Sequence, residues 1–473
     1  MAQVVSVVPT INNTAVILNG RIQKTNGAAE AIEFLEGLAG GDTVLTAMGG
    51  AGQNLFVRAR QMGLNVQRIP WFALEQLVPG SAGASGEERA RALKNAWEKN
   101  SSEFYPLEEL DQTVLTLREL TRVRLNIQEY RKMAQLQYQA AWRDLAPLFP
   151  AELMDRAYDA ALVGSASKNP KAKLKVDYTS SQFKEFLASL PRAQRDAVEL
   201  RVMFADAGMI RGALNDETLL ERRITQLANQ LDIWHWLHPG KGAVLPEVKG
   251  LGPSLGGSLI GEIGDIKRFP TPLHLRAYAR FHVASRLALE DEEPTHFKAD
   301  PETQEPVGYV GVFPRRKRGE VSNWSRYLNR AVWLWSTDQM PRYDHVWRDL
   351  YYHFKWQEML AHPEPVKVDV GEGKTITKYS LGHLDKRAKR RTGSALLEYV
   401  WGLWIAGDSG QDVDEWFLRG SRHSAAITEQ HSWGDFFNEI AAEVNDGLYE
   451  RVQAESDRRR ALQPKSEDEQ SED

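Results

Sequence analysis

The chain has 473 residues, a formal net charge of −5, 42% hydrophobic and 26% charged residues, and no cysteine. That length exceeds one ordinary core and predicts three or four folded units. The absent thiols exclude disulfides, thiolate zinc sites and cysteine nucleophiles, and fit a reducing cytoplasm. No apolar run approaches the roughly 20 residues that cross a bilayer. The opening MAQVVSVVPTINNTAVIL has neither a basic n-region nor a small-residue cleavage site, so the expectation is a cytoplasmic chain with no membrane partner.

Residues 1–86 alternate between strand and helix patterns. VVSVVPT (4–10) and NTAVILNGRIQKT (13–25) read as strands meeting at a turn, with Asn19-Gly20 a hairpin-type signal. AAEAIEFLEGL (28–38) has amphipathic helical spacing, and DTVLTAM (42–48) reads as a buried strand ending at Gly49-Gly50. GQNLFVRARQMG (52–63) has helical spacing again, and NVQRIPW (65–71) is a further strand. Such alternation predicts a layered sheet, and PGSAGASG (79–86) a loop or hinge.

From 87 to 237 the pattern is helical. Residues 107–145 contain no proline or glycine, and their apolar residues recur every three or four positions. This reads as one arm of a long helical hairpin or coiled coil, either a spacer or a dimerisation arm. SASKNPKAKLKVDYTS (165–180) interrupts it before helical spacing resumes at 181–190 and 218–237. A third unit spans 238–362 and a helical, basic fourth 363–455, followed by an acidic tail, 456–473, expected to be disordered. The expected class is α+β, mostly helical.

Three stretches carry candidate chemistry. In VKGLGPSLGG, Lys249, Gly250, Leu251 and Gly252 form a Gly-x-Gly turn of the helix-hairpin-helix kind, whose amides can approach a phosphate; a turn that only packs two helices fits the same letters. Lys267 and Arg268 follow. In VFPRRKRGEVSNWSRYLNRAVWLW (312–335), Arg315, Arg316, Lys317 and Arg318 sit together on an acidic background, which calls for an anionic partner. Asn323, Trp324 and Tyr327 can reach bases or sugars, with Arg326 and Arg330 beside them, although Trp324 and Trp333 can equally be core. In KRAKRR, Lys386, Arg387, Lys389, Arg390 and Arg391 form a second cationic run, which a solvated helix face would also explain. The histidines, such as His235, His238, His345 and His353, lack the spacing of a zinc site.

GLGPSLGGSLIGEIGDIKRFPTPLHLRAYA and the later RRKRGEVSNWSRYLNRAVW resemble the C-terminal domain of Piv/MooV-type, bridge-RNA-guided insertion-sequence transposases. That domain is related to the Nop domain of box C/D guide-RNA particles and to that of Tas proteins, which are RNA-guided DNA-targeting proteins. DTVLTAMGGAGQNLFVRARQMGLNVQRIPW is similar to the strand–helix–strand of the transposases' RNase H-like (RuvC-type) fold. The resemblance implies a degenerate RNase H-like domain at 1–86, a helical hairpin at 87–237 and a Nop-like domain at 238–362.

The resemblance also implies carboxylates that this chain lacks. The first-strand aspartate falls at Val8 and a glutamate at Gly49; in GEERARALKNA, Glu88 is a plausible substitute for one later acid and Arg91 opposes the other. Such carboxylates hold the two cations that cleave phosphodiesters. The transposases' serine before glycine has no counterpart, Ser285 being nearest. The expectation is therefore a nuclease-less, Tas-type protein that is not an enzyme. It would have no catalytic residue, metal or cofactor, and would bind guide RNA and target DNA as a homodimer joined through the helical hairpin. Two alternatives are an active transposase with an atypical site and a structural RNA-binding protein of a guide-RNA particle.

Overall fold

The computed structural model describes residues 3–9, 14–18, 21–25, 28–47, 53–81, 84–107, 111–145, 181–199, 207–282, 284–287, 296–299, 306–312, 324–369, 375–420 and 432–461. They divide into two compact units, 1–117 with 229–473, and 118–228. The protein is α+β and mostly helical.

The first unit begins with a six-stranded sheet. Its strands are β1 (Val4–Pro9), β2 (Thr14–Leu18), β3 (Arg21–Thr25), β4 (Thr43–Ala47), β5 (Asn65–Ile69) and β6 (Tyr105–Pro106), in the order β3-β2-β1-β4-β5-β6. β1, β2 and β3 form an antiparallel meander, β4 and β5 run parallel to β1, and β6 closes the edge antiparallel. Strand alternation sends Val5, Val7, Val44 and Val66 to one face, under Ala31 and Leu35 of α1 (Ala28–Glu36) and Phe56 of α2 (Gln53–Gln61). Val8, Leu45 and Ile69 face the other way, against Leu74 of α3 (Trp71–Leu77) and Ala90, Leu93 and Ala96 of α4 (Gly86–Lys99). α4 lies within the helical stretch of the sequence, yet its small apolar face makes it the lid of this sheet. The Asn19-Gly20 turn and Gly49-Gly50 fall outside the described residues.

In the second unit, α5 (Asp111–Leu145), which enters it at Arg118, pairs with α8 (Ala207–Ala228); α6 (Ser181–Ser189) and α7 (Arg192–Val198) lie between them in sequence. Arg131 meets Glu217 at 2.5 Å, and Arg124 meets Glu221 at 3.8 Å. These two pairs run in opposite chain directions, so the helices are antiparallel. The Arg131–Glu217 pair is buried, and breaking it would strand a charge. Val123, Tyr130 and Met133 of α5, spaced by seven and three residues, are exposed.

The first unit resumes with α9 (Asp232–Leu237), α10 (Pro253–Ile263), a 3-10 turn at Ile266–Arg268 and α11 (Pro272–Tyr278). β7 (Ala284–Leu287), β8 (His296–Ala299) and β9 (Pro306–Val312) form an antiparallel sheet in the order β7-β9-β8. α12 (Arg326–Leu334) continues into a π-helical turn, Trp335–Gln339, and a 3-10 turn, Met340–Arg342. Then come α13 (Val346–Ala361), the hairpin β10 (Val366–Asp369) and β11 (Thr375–Lys378), and α14 (Leu381–Asp408). α15 (Val413–Arg419), α16 (Trp433–Asn445) and α17 (Leu448–Ala461) complete the described chain.

α14 is the axis of this half, with every residue from Thr392 to Trp404 buried. Around it, Trp347 lies within 5.3 Å of Tyr399 and Phe437 and 6.3 Å of Trp433, so much of the tryptophan load is core. α17 carries into the expected acidic tail. Residues 456–461 are helical because Arg459 is buried, donating to the carbonyls of Met359 and His362. No helix among the described residues is long and apolar enough to cross a membrane.

Candidate nucleic-acid interface

The glycine turn forms where the sequence places it, but its first half is closed. Gly250 has φ +81°, and a Cβ there would lie 2.9 Å from Gln339 Cβ and 3.1 Å from Tyr343 Cε2. The Lys249 carbonyl accepts the Trp335 indole N–H at 3.0 Å, and Leu251 is buried. The π-helical turn thus packs over this side of the hairpin. Gly252, the N-cap of α10, is exposed, with open space where a Cβ would stand.

Lys267 and Arg268 do not join an anion site. Arg268 donates to the Glu262 carbonyl at 3.0 Å and lies 4.5 Å from the Phe269 ring and 4.4 Å from that of Tyr278. Lys267 lines a cavity of about 300 Å³ together with Asp232, Asp265 and Asp408, a field unsuited to phosphate.

From the other end of the antiparallel α10–α12 pair, cations and aromatics line α12. Ser325 caps α12 by accepting the Leu328 N–H, and its hydroxyl donates to the buried Glu262 carboxylate at 2.9 Å. The Ser325 N–H donates to the Tyr278 carbonyl, and Asn329 Nδ2 donates to that of Ala279. These bonds fix the start of α12 against the end of α11. Arg326, exposed, donates to the Tyr327 hydroxyl at 2.6 Å and lies over its ring. Trp324 is half-buried with the Arg280 guanidinium 4.9 Å above it. Trp333 is half-buried with Arg390 6.0 Å above it. Arg330 shares this helix and is half-buried. The basic run Arg315, Arg316, Lys317 and Arg318 and the polar Asn323 lie outside the described residues.

Much of the second cationic run is committed internally. Arg387 Nε and Arg391 Nη1 reach the two oxygens of buried Glu358 on α13, at 2.5 and 3.3 Å, and Arg391 also donates to Gln357. Lys389 pairs with Asp385 at 2.8 Å. Lys386 is exposed. Burial, then the like charges of Arg280 and Arg387, push the Arg390 guanidinium below its ordinary value. It nonetheless stays charged at any physiological pH.

The structure therefore places Trp324, Arg326 and Tyr327 at the N-terminal end of α12, with Arg330 and the Arg390–Trp333 pair further along the helix, and leaves Lys249–Gly252 one length of α10 from Ser325, about 16 Å at 1.5 Å per residue. One member was missed in the sequence. Arg280 closes a Schellman turn after α11, with its own N–H donating to the Ala277 carbonyl and that of Phe281 to the Arg276 carbonyl. Its φ of +59° is left-handed, which costs a non-glycine residue roughly 1 kcal/mol. The available signal was an arginine where a helix end asks for glycine.

The positions that the transposase resemblance links to cleavage read as follows. Val8 is buried in the sheet core, two residues beyond the Ser6–Leu45 pairing of β1 and β4. Glu88 is exposed and accepts the Ser85 N–H at 2.8 Å in a capping box; those bonds hold its carboxyl below the usual range. Ser285 stands on β7 opposite Gly311. Among the described residues, no three His, Asp or Glu are grouped to hold a metal ion. No protein-family model matches the chain, and no curated protein matches it.

Proposed function

We propose that the chain is a non-cleaving, RNA-guided DNA-binding protein, holding a guide RNA on its C-terminal half. The observation that carries this reading is the pair of guanidinium–indole stacks along α12, Arg280 on Trp324 before its start and Arg390 on Trp333 in its last turn. Guanidinium groups neutralise phosphates with release of counterions, and flat indoles accept unpaired bases. The guide would supply sequence by base pairing while the protein holds shape and backbone.

The N-terminal sheet supports the same reading. The order β3-β2-β1-β4-β5, with helices after β3 and β4, fits the RNase H-like domain that the resemblance implies. On that reading Val8 stands at the strand-one position of the metal-binding aspartate, and valine ligates no cation. The glycine hairpin between α9 and α10 fits a Nop-like, helix-hairpin-helix module. The exposed Val123, Tyr130 and Met133 of the helical hairpin have heptad spacing and favour a homodimer through α5.

The test is to sequence the RNA that co-purifies with the full chain and to offer the loaded protein DNA duplexes, matching or scrambled, with magnesium or manganese present. Retention of the matching duplex without cleavage is expected. Protein free of RNA that ignores both duplexes, or metal-dependent cutting, would overturn the proposal.

A further inference from the structure

Arg280 sits where the fold prefers glycine. The bond pattern after α11 needs a left-handed residue at this position, and glycine adopts that conformation without a Cβ clash. A cation at a helix C-terminus can be explained by the end carbonyls. Here, however, the carbonyls of Arg276 and Ala277 already accept backbone N–H groups, and the guanidinium lies over Trp324 instead.

The next residue is bolted to α14 close to Arg390. The Phe281 ring occupies the space left by Gly393, where a Cβ would meet it at 2.4 Å, and the Phe281 carbonyl accepts the Ser394 hydroxyl at 2.9 Å. Two like charges are thereby drawn together, each backed by an indole. His282, one residue further, keeps its buried Nδ1 without a hydrogen-bond partner. Nearby Arg276 adds to the positive field, since after burial it is what lowers the His282 imidazole.

We propose that Arg280 and Arg390 form a seat for one phosphate of an unpaired strand, and that arginine is kept at position 280 against the backbone preference for that purpose. The proposal rests on the nucleic-acid reading above. It selects an unpaired strand because both guanidinium groups lie on indoles: a single strand offers these rings exposed base faces beside its phosphates, whereas a duplex stacks its bases away. The strain is present with or without ligand, so stability and binding must respond in opposite directions when it is removed.

The test uses the full chain and its Arg280→Gly variant. Thermal melting is measured, together with fluorescence anisotropy on a labelled single-stranded RNA and a labelled DNA duplex of the same sequence. The variant is expected to melt at the wild-type temperature or about 1–2 °C higher, because glycine relieves the left-handed strain. Its affinity for the single strand should fall about tenfold, with loss of a charge-assisted contact. The slope of log K against log salt should become shallower by about 0.7, with duplex binding unchanged. If wild-type protein binds the single strand and the variant binds it equally with the same slope, the seat is overturned while the nucleic-acid reading stands. A variant that melts lower shows Arg280 to be a packing residue and also overturns the seat. Equal losses for single strand and duplex overturn the preference for an unpaired strand. Wild-type protein that binds neither polymer removes both proposals together.

Discussion

The two ends of the α10–α12 pair are built from the same kinds of residue and do different things with them. At the hairpin end, glycine, lysine and tryptophan pack: Gly250 is pressed against Gln339 and Tyr343, and Trp335 bonds to the Lys249 carbonyl. At the other end Arg280 stacks on half-buried Trp324, and Arg390, whose like charge it feels, stacks on half-buried Trp333 further along α12. The difference teaches that residue type alone does not decide between packing and exposure. What separates the two is burial: Leu251 and Trp335 are closed in, whereas Trp324 and Trp333 stay half-buried.

The sharpest way to break this contrast is at the glycines. Gly250→Val should lose about 3 kcal/mol, from a left-handed backbone plus contact with the Gln339 backbone, whereas Gly252→Ala should stay within about 0.5 kcal/mol. Thermal melting separates them, and equal melting would mean that the hairpin end is not closed. Next in size is Glu358→Gln. It leaves Arg387 and Arg391 without their carboxylate, and as both are 41% exposed, water compensates part of the loss, leaving about 1–3 kcal/mol. RNA affinity should be kept or raised in this variant, because guanidinium groups are released rather than removed. A fall in affinity would place Glu358 in the interface.

The third effect is a pH dependence at the packed end. Burial, opposed by the bond to the Met340 carbonyl, pushes the His345 imidazole down to about 4. The folded state therefore keeps it neutral while the unfolded chain protonates near 6.5. The contribution is complete above pH 6.5 and is lost as pH falls toward 4, with a slope of at most about 1.4 kcal/mol per pH unit. His345→Asn, which preserves an N-cap side chain, should flatten that part of the melting profile. An unchanged profile would show that other groups carry it.

The sequence made local features legible and hid partnerships. The strands of the sheet were readable because Val4–Pro9 and Thr43–Ala47 are runs of β-branched and small residues, and the glycine turn because few other residues allow φ +81°. The role of α4 was hidden, since Ala90, Leu93 and Ala96 give the same periodicity whether they cover a sheet or another helix. KRAKRR looked like one cationic face because Glu358, which holds two of its arginines, lies 29 residues before Arg387. Arg280 carried one faint signal, an arginine where a helix end asks for glycine, and the backbone geometry is what sets it apart. Arg315–Arg318, the most conspicuous run, lies outside the described residues.

The bonds that pin α12 at both extremities have a metric consequence. With Ser325 locked to Glu262 at one terminus and Trp335 to Lys249 at the other, α10 and α12 behave as a strut of constant span. A filament lying across both would meet footings whose spacing the protein sets in advance, so the molecule would gauge the length and bend of such a guest instead of yielding to them.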